Sequence, residues 1–242
     1  MAAPDHARGA PVSFDQLAPH YRWMETVLAG PLLHRCRTRF VSELAAARQV
    51  LVLGPGRSRF TQAVLQSAPG AHVTLLDSSR AMLERLERDL EASGVSTGRV
   101  TFVHGDVRTW SAPPVSFDAV TTHFFLDCFE PAELDVVVER VAHWTAPGAR
   151  WLLSDFQVPA QGWRRQRARV LHAFMYTFFR TTTGISARSV TPPDPSLHRA
   201  GFRLVSRDIS NHGLLHADLW VRASHVKPAG NRQPQMAAGY RT

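Results

Sequence analysis

Three successive apolar runs end in residues whose types suit the binding of a polar ligand. Gly54 and Gly56 follow the first run in VLVLGPGRSRF, Asp77 closes HVTLLD (72–77), and Asp106 closes RVTFVHGD (99–106). Glycine allows a tight turn and a close approach of main chain to ligand. A carboxylate about twenty residues beyond such a turn can accept both hydroxyls of a ribose. The next carboxylate along, Asp106, can accept a hydrogen bond from an exocyclic adenine amine. A fourth run, SFDAVTTHFF (116–125), carries His123 and leads to Asp127. These two side chains are the best placed to remove a proton from an acceptor, and an unperturbed imidazole titrates close to neutral pH.

The glycine turn discriminates among ligands. A phosphate-cradling loop needs GxxxxGK[ST], and no Lys-Ser or Lys-Thr follows here. A dinucleotide fingerprint needs a third glycine for close helix–strand packing, and that place holds Arg59. The remaining pattern, GxGx(G/S) with Gly54, Gly56 and a small Ser58, suits a nucleoside with an amino-acid tail. Each residue also has a purely structural reading. The turn can simply join a strand to a helix, Asp77 can cap the following helix, and Asp106 can be a surface loop acid. Ser78 and Ser79 already supply caps, which favours ribose for Asp77.

These residues need a scaffold that brings strand ends together, and the chain supplies one. Strands are expected at 49–53, 72–77, 99–106 and 116–125, then in APGARWLLSDF, GFRLVSRDIS and LLHADLWVRA, with a turn at Asn211-His212-Gly213. Helices are expected over 14–30 and 31–47, from about Phe60 to Ser67, over SSRAMLERLERDLEASG and over PAELDVVVERVAHW. In the fourth of these, Leu83, Leu86 and Leu90 share a face and Glu84–Arg88 and Arg85–Asp89 pair at i,i+4. Alternating strands and helices predict an α/β, Rossmann-like, doubly wound fold: a mostly parallel seven-stranded sheet with helices on both faces and an antiparallel last strand. Such sheets bind ligands outside the carboxyl ends of their strands.

At these residues the chain resembles the class I S-adenosylmethionine-dependent methyltransferases of small-molecule type, as an uncharacterised bacterial-like member, over about Phe14 to Val221. VLVLGPGRSRF resembles the family's first motif, VTLLDSSRAMLE its second-strand motif and VTFVHGDVRTW its adenine-contacting motif. FDQLAPHYRWME resembles an N-terminal helix that covers the cofactor. The resemblance implies S-adenosyl-L-methionine as cofactor, with S-adenosyl-L-homocysteine as product and no metal. It assigns cofactor contacts to Gly54, Gly56, Ser58, Asp77, Ser78, Met82, Asp106, Val107, His123 and Tyr21. It leaves His123 and Asp127 as candidate bases. The chain departs from the family in two places: the acid usual two residues before the first glycine is Val52, and the third glycine is Ser58.

The acceptor expected is a small, apolar or aromatic molecule. In WRRQRARVLHAFMYTFFRTTTG an apolar stripe from Val170 to Phe179 follows four arginines, as a lid helix would require; a helix over 164–182 lying on an anionic membrane is the second reading. The net charge of +8 raises a nucleic-acid partner, but it is nearly all arginine, with Lys227 the single lysine. The segment THFF after the fourth strand also lacks an Asn-Pro-Pro-Tyr-like base-gripping motif. An RNA or protein methyltransferase therefore stands as one alternative, and a non-catalytic cofactor-binding scaffold, suggested by Val52, as another. One domain is expected over 13–225, with cap helices at 13–47, a lid at 160–195 and disordered ends at 1–12 and 226–242. Cys36 and Cys128 form no CxxC pair, and MAAPDHARGAPVS has no apolar signal core, so a cytoplasmic setting is expected.

Overall fold

The computed structural model describes residues 30–159, 161–170 and 190–224. Within them, α1 (Gly30–Thr38) precedes β1 (Gln49–Leu53), α2 (Ser58–Ser67), β2 (His72–Asp77), α3 (Arg80–Ala92), β3 (Val100–His104), β4 (Phe117–His123), α4 (Pro131–Trp144) and β5 (Thr145–Phe156). The chain closes with α5 (Asp194–Arg199), β6 (Phe202–Ser210) and β7 (Leu215–Arg222). The strands form one sheet in the order β3-β2-β1-β4-β5-β7-β6. The first five are parallel, and β7 runs antiparallel to both β5 and β6. The doubly wound fold expected from the sequence is the fold observed.

Alternation along the strands fills both faces. Leu51, Leu53, Val120, Trp151, Leu153 and Trp220 meet the α4 residues Leu134, Val137, Val138 and Val141 on one face. Val50, Val52, Val73, Leu75 and Leu152 meet Phe60 and Val64 of α2 and Leu83, Leu86 and Leu90 of α3 on the other. Between β4 and β5 the Trp151 indole Nε1–H donates to Thr122 Oγ1 at 2.8 Å. Strand order reverses between β1 and β4, so the crevice at a topological switch point opens where the glycine turn leaves β1.

Helix ends follow their capping residues. Ser79 caps α3 by accepting the Met82 N–H at 3.2 Å, and Gly94 beyond its end has φ +69°. Glu130 and Glu133 form a capping box on α4, with Pro131 in the first turn. The hairpin between β6 and β7 turns through Asn211, His212 and Gly213, all at positive φ.

Three local expectations are corrected. The single helix expected over 31–47 divides into α1 and a short 3₁₀ turn at Val41–Leu44. At the break, Arg39 Nε donates to Asp208 Oδ2 at 2.6 Å, so a partner from β6 fixes a position that local periodicity would continue as helix. Arg85 and Asp89 do approach, at 3.8 Å, but Arg88 Nε donates to the Glu84 main-chain oxygen. In the helical stretch over 162–170, Ala168 is buried while Val170, expected on the inward stripe, is 71% exposed. Leu171 to Phe179, the 14–30 helix with Tyr21, and both chain ends lie outside the described residues.

Candidate functional site

Gly54 ends β1 with φ +59° and Gly56 follows with φ +61°, a left-handed geometry that penalises any residue with a Cβ. The Gly54 N–H donates to Leu76 O at 2.9 Å, tying the turn to the end of β2. A Cβ on Gly54 would lie 2.7 Å from Cδ2 of Phe125, so the ring of the β4 exit closes directly on the turn. A Cβ on Gly56 would meet nothing nearer than the Gly54 oxygen at 4.0 Å and would stand in open space. The main chain at Gly56 is thus left bare and approachable. Gly54→Ala is expected to cost about 2 kcal/mol or more of unfolding free energy, from strain plus displacement of Phe125. A denaturant midpoint unchanged from that of the parent protein contradicts this packing.

Asp77 stands at the next strand end. Its Oδ1 accepts the Ser79 N–H at 2.9 Å while Ser79 itself caps α3. Ser78 is exposed, and Met82 is half-buried in the first turn of α3. Ser58 opens α2, placing the small residue of the glycine motif at the helix N-terminus.

Asp106 lies past the end of β3 and is forked by Arg108: Nε reaches both carboxylate oxygens at 3.0 Å and Nη2 reaches Oδ2 at 2.6 Å. Burial pushes this carboxyl up, but the hydrogen bonds and charge of Arg108 outweigh it and hold Asp106 below the usual range. Arg108 also contacts Glu133 of α4 at 3.2 Å. Val107 is buried, with its carbonyl accepting Arg140 Nε.

The β4 exit holds the titratable groups. His123 is buried edge-on to Phe60, with ring centroids 4.3 Å apart. Neither ring nitrogen has a hydrogen-bond partner among the described residues. Burial, aided by the charge of Arg37, pushes His123 well below its usual value, so it stands neutral. Arg37 of α1 lies over the Phe124 ring at 5.1 Å. Asp127 sits in a 3₁₀ turn, Leu126–Cys128, buried beside Asp155 of β5. The two carboxyls hydrogen-bond to each other, and burial raises both, Asp155 the more because the Asp127 charge adds to it.

The structure therefore brings Gly54, Gly56, Ser58, Asp77, Asp106, Val107, His123 and Asp127 to the carboxyl ends of β1 to β4, with Met82 near them in α3. Asp155, Phe125, Arg37 and Arg108 were not anticipated from sequence. Of these, Asp155 had a readable signal, as an acid inside the apolar strand WLLSDF.

The cradle fits a nucleoside with an amino-acid tail. The bare main chain at Gly56 gives room, carboxylates end β2 and β3, and the unpartnered nitrogens of His123 are a hydrogen-bond deficit that a polar ligand can supply. Val52 is packed in the apolar layer, so β1 contributes no acid. Among the described residues no group of three or more His, Cys, Asp or Glu side chains is arranged to hold a metal ion.

A family profile described as a methyltransferase domain matches residues 50–148, the span from β1 through the start of β5. This span resembles a methyltransferase domain. A demethylmenaquinone methyltransferase of Clavibacter sepedonicus is 32% identical over 150 residues, covering 60% of this chain and 57% of that protein. The chain spans less than two thirds of the length of the curated relatives it matches. Among solved structures, the mitomycin 7-O-methyltransferase MmcR superposes with a TM-score of 0.65 at 21% identity, over 87% of this chain and 61% of that one. The Burkholderia thailandensis 1,6-didemethyltoxoflavin-N1-methyltransferase, with bound substrate and S-adenosylhomocysteine, superposes at 0.60 and 18% identity, over 92% and 94%. These likenesses show that the chain shares its fold with methyltransferases of differing acceptors.

Proposed function

We propose that this protein is a methyltransferase that transfers a methyl group from S-adenosylmethionine to a small, apolar or aromatic molecule. The observation that carries the cofactor reading is the pair of left-handed glycines with Asp77 and Asp106 ending the two strands beside them. When bound, the cofactor supplies a methyl group on a positively charged sulfur. Gly54 and Gly56 let the main chain approach its amino-acid tail, with Ser58 at the helix start. Asp77 accepts the ribose hydroxyls, with Ser78 beside it. Met82 and Val107 flank the adenine, and Asp106 accepts from its exocyclic amine while keeping its fork with Arg108. His123, neutral and short of partners, hydrogen-bonds the ligand rather than removing a proton. Asp127 stands nearer the acceptor side, on the turn after Phe125, and is the stronger candidate to receive one. Catalysis is then mainly positioning and exclusion of water.

The small-molecule acceptor is supported by the aromatic walls at the β4 exit, Phe124, Phe125 and Phe129, and by the acceptors of the two solved relatives. No helix among the described residues is long and apolar enough to cross a membrane. The first test is calorimetric titration with S-adenosylmethionine, S-adenosylhomocysteine and NAD. One-site binding of both sulfur nucleosides and none of NAD is expected. Binding of NAD alone refutes the assignment.

A further inference from the structure

The helical stretch over 162–170 concentrates positive charge. Arg164, Arg165, Arg167 and Arg169 crowd into it, and no acidic residue occurs in the sequence between Asp155 and Asp194. All four arginines are exposed. Arg164 lies over the Trp163 ring at 6.0 Å, and Arg167 Nη2 donates to Asn211 Oδ1 at 3.3 Å. Among the described residues none of the four meets a carboxylate.

The same stretch presents apolar side chains to solvent. Trp163 is 62% exposed and Val170 is 71% exposed. Spaced i, i+7, they share one helix face, with Arg167 between them at i+4. Ala168 points to the other side and is buried in a cluster with Cys36 of α1 and with Leu214, Leu215 and Ala217 around the start of β7. The helix is therefore seated on the domain by a small residue and turns its large apolar ones outward, the reverse of a helix folded onto its own core.

The β6–β7 hairpin braces this face at one edge. Trp163 and His212 have ring centroids 5.9 Å apart, and a Cβ on Gly213 would lie 3.0 Å from Cγ of Pro159. Phe124 and Phe156 pack on the cluster that buries Ala168, with their own rings 5.0 Å apart. Phe124 follows His123, the last residue of β4, so the helix stands at the same end of the sheet as the ligand crevice.

We propose that the outward face of residues 162–170 docks on an anionic lipid bilayer. Basic residues draw such a face to a negatively charged leaflet. Arginine stems then lie along apolar surface while their guanidiniums stay with the phosphates, and an exposed tryptophan suits the headgroup boundary. A nucleic acid would satisfy the arginines but offers Val170 no apolar phase. Docking needs no ligand in the crevice and does not rest on the cofactor reading. It brings the strand ends up to a bilayer, where apolar acceptors of the class proposed above dissolve.

The test is co-sedimentation of the full chain, without nucleoside, with two kinds of vesicle: phosphatidylcholine alone, and phosphatidylcholine with about a third phosphatidylglycerol. Binding about tenfold or more tighter to the mixed vesicles is expected, weakening as salt rises. Arg164→Gln/Arg165→Gln/Arg169→Gln should lose about a hundredfold there, since each charge near an anionic surface contributes about fivefold. Replacing three exposed arginines elsewhere, Arg48→Gln/Arg80→Gln/Arg203→Gln, changes net charge equally and should lose less than about threefold. Trp163→Ala/Val170→Ala should lose about tenfold. All these positions are exposed, so the variants should keep the fold, which far-UV circular dichroism checks. Equal losses for the two arginine triples assign the binding to overall charge and overturn the inference. Vesicle binding that Trp163→Ala/Val170→Ala leaves unchanged also overturns it. So does absence of binding to the mixed vesicles, whether or not single-stranded RNA is captured instead.

Discussion

The Asp77→Ala variant should bind S-adenosylmethionine and S-adenosylhomocysteine about a hundredfold more weakly than the parent, by calorimetric titration at one pH. A carboxylate at the end of β2 that accepts two ribose hydroxyls makes two charge-assisted hydrogen bonds, each worth about 1.5–3 kcal/mol. Both ligands carry the same ribose, so both must suffer equally. The fold should tolerate the change, because the α3 cap is provided by Ser79, whose side chain accepts the Met82 N–H. An affinity within threefold of the parent would return Asp77 to a capping role. A loss for one ligand only would point to the sulfur end of the site, not the ribose.

The largest stability effect should come from Arg207→Ala, far from the ligand. Asp218 is fully buried on β7, and Arg207 reaches it from β6 through Nε at 2.7 Å and Nη2 at 2.6 Å. Arg207 also donates to Asp194 at 2.9 Å, tying the α5 start to the last hairpin. Burial pushes the Asp218 carboxyl up, but Arg207 and His216 outweigh it and hold it ionised, below its usual range. Removing the guanidinium leaves a buried charge with the Trp220 indole and His216 among its neighbours. Breaking a buried pair in this way costs about 3–5 kcal/mol, and urea unfolding should show a loss of about that size. A loss under about 1 kcal/mol would mean that water reaches Asp218.

The sheet was legible because its cues are local. Alternating apolar residues in β1, β2 and β4, the serine before α3 and the proline opening α4 each act within a few residues of themselves. The strand-end placement of Gly54, Asp77 and Asp106 followed from those boundaries. What the sequence withheld depends on partners distant along the chain. Arg39 ends α1 by reaching Asp208, 169 residues away. The Arg108 fork on Asp106 involves a side chain only two residues off, yet its direction is set also by Glu133 on α4. Asp155 looked like an acid in an apolar strand, and only the closeness of β4 and β5 gives it Asp127 as a partner. His123 was legible as a residue at the end of β4, but its neutrality comes from burial, with Phe60 packed against it, which periodicity does not report.

The contact between Gly54 and Phe125 has an evolutionary consequence. The two residues, 71 positions apart, share one volume, so a larger side chain at 54 requires a smaller one at 125. The aromatic ring nearest the ligand turn is consequently not at liberty to follow changes in acceptor. Diversification toward new acceptors would run instead through Phe124 and Phe129, whose rings pack on neighbouring aromatic side chains and not on the glycine. Among descendants of this chain, residue 125 should track the nucleotide-binding turn, while its aromatic neighbours drift with the substrate.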